Sequence, residues 1–95
     1  IINLVNDPLT AINARIYIKM FPNPTTRTLY VESKRNVSKP IFYQLYDITG
    51  RLMLNGTSNR DNFEINVEKL GAGIYTVKLY NGQDINLLTE KIVIQ

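Results

Sequence analysis

In segment after segment of this chain, apolar residues recur at every second position, and no stretch of useful length carries the three-and-four spacing of an amphipathic helix. Over Arg15–Met20, Ile16, Ile18 and Met20 fall on one side of an extended segment, with Tyr17 and Lys19 on the other. Thr28–Lys34 alternates again, Leu29 and Val31 against Tyr30 and Glu32. Phe63, Ile65 and Val67 alternate with Glu64 and Asn66. Tyr75, Val77 and Leu79 share a face of Ile74–Tyr80, and Leu87–Ile94 closes the series. Ile41–Tyr46 carries apolar and aromatic residues on both faces, the pattern of a central strand, and Arg51–Leu54 is its return partner. About seven short strands with turn signals every 8–12 residues predict an all-β sandwich of antiparallel strands.

The punctuation agrees. Pro22 and Pro24 flank Asn23; two residues without amide donors stop a ladder and turn the chain toward a new partner. Asp47-Ile48-Thr49-Gly50 has the acid and the glycine of a turn, with Asp47 and Arg51 placed to pair across it. Arg35–Pro40 reads as a loop, and so does the polar run Asn55–Asn62. Asn81-Gly82 is a strong hairpin signal, lengthened by Gln83–Asn86. Within Leu70-Gly71-Ala72-Gly73-Ile74-Tyr75, the tyrosine sits where a tyrosine corner turns its hydroxyl back onto upstream backbone. Ile1–Val5 reads as a strand or as the tail of a preceding domain, and Pro8–Asn13 as a linker, so residues 1–15 lie apart from a domain spanning residues 16–95. Without an initiating Met or a leader segment, the chain reads as a piece of a longer protein.

Composition narrows the function. The 95 residues suit one domain. There is neither Cys nor His, which removes disulfides, thiolate metal sites and the commonest general base. The Asp47 loop holds one carboxylate where a calcium loop needs several oxygen ligands. No nucleophile–base set stands out, although Asp47, Asp61, Glu64 and Glu90 are available carboxylates and Ser33, Ser38 and Ser58 available hydroxyls. The expectation is a non-catalytic domain with no cofactor and no metal. The net charge of +3 is spread along the chain, against the clustering of a nucleic-acid binder. No apolar run approaches the roughly 20 residues of a membrane span. The six tyrosines read as half-buried strand residues rather than a stacking platform.

Four blocks occur in order: IKMFPNPTTRTLYVE, YQLYDITGRLM, INVEKLGAGIYTVKLY and TEKIVIQ. Together they resemble the C-terminal sorting domain of type IX secretion cargo proteins. The matching positions are Pro22, Asn23 and Pro24; Leu45, Tyr46, Asp47, Gly50 and Arg51; Leu70, Gly73 and Tyr75; and the basic-hydrophobic end at Lys91, Ile92 and Val93. The resemblance spans Ile16–Gln95 and implies an immunoglobulin-like Greek-key sandwich that acts as a signal. It implies an upstream cargo, export to the periplasm, passage through the outer-membrane translocon and removal by a sortase-like peptidase. In many members the cargo is then joined to anionic lipopolysaccharide. Cleavage is expected in or before the linker, with Pro8–Arg15 the region of interest. The last strand, with Lys91, Ile92, Val93 and Ile94, is the expected recognition element, because a sheet edge invites strand addition. The alternative is an immunoglobulin-like adhesion or spacer module of a surface protein, since one fold serves many functions.

Overall fold

The computed structural model describes residues 18–33, 37–82 and 86–95. The expectations for Ile1–Val5, Pro8–Asn13, Ile16 and Tyr17 lie outside them. Seven strands follow in order: β1 Ile18–Phe21, β2 Thr28–Ser33, β3 Ile41–Tyr46, β4 Leu52–Ser58, β5 Asn62–Asn66, β6 Gly73–Asn81 and β7 Asn86–Ile94. They form two antiparallel sheets, β1-β2-β5 and β4-β3-β6-β7. The chain changes sheet between β2 and β3, between β4 and β5, and between β5 and β6, which is Greek-key wiring.

The alternation of the sequence becomes the core. Ile18, Leu29, Val31, Ile65 and Val67 from one sheet and its margin meet Ile41, Leu45, Tyr75, Val77, Leu79, Leu87, Ile92 and Ile94 from the other. The partners that alternate with them, such as Lys19, Tyr30 and Lys78, are exposed. β3 and β6 are the inner strands of the larger sheet, as the two-faced pattern of Ile41–Tyr46 requires.

Asn55–Asn62, expected to be loop, is strand as far as Ser58, and Asn62 already begins β5. Gln44, Tyr43, Phe42 and Ile41 pair with Asn55, Gly56, Thr57 and Ser58 in turn, so a neighbouring strand templates a segment of weak intrinsic preference. Gly56 has a packing reason: a Cβ there would overlap the ring of Tyr43, which stacks on Phe63 with centroids 6.0 Å apart. Two bulges adjust the register. Met53 is the extra residue of β4, and Leu87 that of β7. The second lets both Leu87 and Leu88 pack on the core although they are sequence neighbours.

Candidate recognition surface

The Pro22-Asn23-Pro24 segment ends β1 and crosses to the free side of β7. There the Asn23 side chain behaves like a peptide unit. Its Nδ2 donates to the Lys91 carbonyl at 3.1 Å, and the Val93 N–H donates to its Oδ1 at 2.9 Å. Two residues on, the Thr25 N–H donates to the Val93 carbonyl at 2.9 Å, and the Gln95 N–H donates to the Thr25 carbonyl at 2.8 Å. Thr25, itself buried, forms a parallel bridge to Ile94 and donates its hydroxyl to the Thr28 carbonyl at 2.6 Å. Four outward-pointing backbone groups at the end of β7 and just beyond it, from the Lys91 carbonyl to the Gln95 amide, are thereby filled. The prolines stop the ladder of β1, and the asparagine and threonine then clasp the last strand.

The Asp47 turn is held by its own carboxylate. Oδ1 accepts from the Thr49 hydroxyl at 2.6 Å, the Thr49 N–H at 2.9 Å and the Arg51 N–H at 3.0 Å. Oδ2 faces Arg51 Nε at 3.3 Å. Gly50 takes φ 87°, which a side chain would resist. The Thr49 hydroxyl first, then the Arg51 amide and the other donors, hold the Asp47 carboxyl down at about 2. The charge is thus spent on turn geometry, and among the described residues no group of three or more metal-ligating side chains gathers.

The tyrosine corner forms as expected: the Tyr75 hydroxyl donates to the Gly71 carbonyl at 2.7 Å. Gly73 and Tyr75 lie opposite Ile94 and Ile92 in the β6–β7 register. Leu45 is fully buried and Leu70 packs against the core. The other described tyrosines are divided between the outer faces and, for Tyr43, the core. Tyr30 stacks on Phe21, Tyr80 on Phe42 and Tyr43 on Phe63, while Lys78 Nζ lies 5.5 Å from the Tyr46 ring centroid.

Of the proposed recognition residues, Ile92 and Ile94 are core side chains, exposed by 1% and 2%. Only Lys91 and Val93 of that set face solvent. Lys91 lines a shallow groove on the outer face of the four-stranded sheet, where Tyr46, Asp47 and Gly50 meet Ile74 and Thr76. Leu52 flanks Tyr46, and Val93 flanks Ile74. Ile48, at the tip of the Asp47 turn, was not singled out by the sequence reading. An isoleucine inside an otherwise polar turn was the available signal.

Residues 19–95 match the model of the secretion system C-terminal sorting domain. The chain belongs to that family of type IX secretion sorting domains. Two solved structures share the sorting domain's architecture. A DUF3244-family protein with an immunoglobulin-like β-sandwich fold from Bacteroides vulgatus aligns with a TM-score of 0.70 at 12% identity, over 83% of this chain and 85% of that one. PorZ of Porphyromonas gingivalis, described as an essential bacterial surface component of the type IX secretion system, aligns with a TM-score of 0.62 at 16% identity. That alignment covers 82% of this chain and 11% of PorZ. At such identities the likeness is one of fold, and the fold is the immunoglobulin-like sandwich expected from the sequence. No curated protein matches the chain.

Proposed function

We propose that this sorting domain is the non-catalytic tag of an upstream cargo, read after export to the periplasm and then carried through the type IX outer-membrane translocon. A sortase-like peptidase then removes it, with cleavage in or before Pro8–Arg15, and the cargo is released or anchored at the surface. Membership of the sorting-domain family supports the sorting role.

The observation that carries the reading is a convergence. The first three blocks all reach the fourth, which forms the C-terminal half of β7. Asn23 bonds Lys91 and Val93; the Asp47 turn shares a groove with Lys91; Gly73 and Tyr75 pair with Ile94 and Ile92. Here the convergence also leaves an exposed apolar and basic surface, which suits a tag read by a partner.

The test is a reporter fused to residues 1–95 in a bacterium that has the type IX system, followed by fractionation and mass spectrometry of the mature C-terminus. Surface reporter lacking the domain is the expected result. Reporter held in the periplasm, or delivered with the domain still attached, would favour the spacer alternative.

A further inference from the structure

We infer that the machinery docks on the outer face of the four-stranded sheet, at its β3–β4 turn end, rather than adding a strand to β7. This rests on the sorting reading above. The occupant is an apolar protein surface rimmed with carboxylates.

The edge of β7 is defended at three places. Asn23 and Thr25 fill its outward groups from Lys91 to Gln95. Glu90 lies opposite the core residue Val77 and so belongs to the inward-facing set, yet it is exposed. An inward-pointing charge on an edge strand penalises pairing with a further strand. The Leu87 bulge shifts the register near the start of the strand. A strand-adding partner would have to displace the clasp and bury Glu90.

The face beside that edge is undefended. Ile48 is 79% exposed, Ile74 50%, Leu52 44% and Val93 39%; these are four of the six exposed large hydrophobic residues of the described chain. They cluster around one groove with Lys78 and Lys91 at its side. Among the described residues neither lysine has a carboxylate within ion-pair distance, and Asp47 in the groove is committed to Thr49 and Arg51. An apolar patch bordered by ammonium groups that no carboxylate neutralises, one of them lying over the Tyr46 ring, is complementary to an apolar patch bordered by carboxylates.

The experiment uses the reporter fused to residues 1–95, with three variants: Ile48→Glu, the pair Lys78→Glu/Lys91→Glu, and Thr57→Glu as an exposed control at the far end of the same face. Thermal unfolding of each purified domain checks the fold. The expected result is a loss of about tenfold or more in surface reporter for the first two, as for central contacts of an interface, with near-wild-type melting and with Thr57→Glu secreted normally. A photo-crosslinker at position 74 is expected to attach to an acidic, apolar peptide of an outer-membrane protein. Normal secretion of both groove variants overturns the proposal. So does an equal loss with Thr57→Glu, or sedimentation showing that wild-type domains pair with each other through this face. Failure of the unaltered fusion to leave the periplasm would instead reject the sorting role itself.

Discussion

β4 and β7 flank the same pair of inner strands, and they are held in place by different means. The inward positions of β7 are filled by Ile92, Ile94 and the leucines at its bulge, and its free side is clasped by Asn23 and Thr25. The inward positions of β4 are Leu54, Gly56 and Ser58, none of them fully buried. β4 is kept by its hairpin to β3 and by the Tyr43 ring lying over Gly56. One edge strand is anchored by fully buried side chains and by long-range bonds, the other by local backbone pairing and the half-buried Met53 and Leu54. Both edges border the exposed groove, β7 through Lys91 and Val93 and β4 through Leu52.

The comparison can be broken most directly by truncation. Ile92→Ala in β7 should cost about 2–5 kcal/mol in urea unfolding, while Leu52→Ala in β4 should stay within about 0.5 kcal/mol. Equal losses would mean that the two edges contribute alike. Gly56→Val tests what holds β4. It should cost about 1–3 kcal/mol through overlap with the Tyr43 ring. Part of that loss should disappear when it is combined with Tyr43→Ala, because the two positions are in contact. Asn23→Ala sharpens the account of β7. Because the bonds are exposed, the loss should be about 1 kcal/mol, with faster hydrogen exchange at the Val93 amide. Unchanged exchange there would show that Thr25 alone holds the edge.

The smallest effect concerns the β3–β4 turn. Asp47 has a depressed carboxyl in the fold, so its contribution is complete above about pH 4, the ordinary unfolded value, and is lost as pH falls toward about 2. Side-chain NMR titration should place the midpoint near the lower value, and Thr49→Ala should raise it, since the Thr49 hydroxyl is the leading donor. A midpoint at the ordinary carboxylate value would remove the charge-assisted turn from the account of β4.

The strands of this chain were legible where alternation was strong. Leu29 and Val31, and Tyr75, Val77 and Leu79, fall on the buried face that their spacing assigns. The second half of β4 was not legible, because Asn55-Gly56-Thr57-Ser58 has little strand preference of its own and takes its geometry from β3. Nor could spacing show that Leu87 is buried one residue out of step with Ile92 and Ile94, since a bulge resets the phase. For the site, Pro22 and Pro24 announced a corner, but the partner of Asn23 lies 68 and 70 residues away, where no local pattern reaches. The terminal Lys-Ile-Val-Ile run reads as one continuous stretch in the sequence. The two faces of a strand divide it, sending Ile92 and Ile94 to the core and Lys91 and Val93 to the solvent.

Thr25 and Ile94 run parallel where they meet. Tension drawn through β1 in one direction and through the end of β7 in the other would slide these two segments lengthwise past each other. The bonds of Asn23 and Thr25 would then carry the load together, in shear, instead of parting one at a time as in a peeled hairpin. A domain pulled by whatever is attached to it would resist at this junction, and the Pro-Asn-Pro segment would be its mechanical fastening.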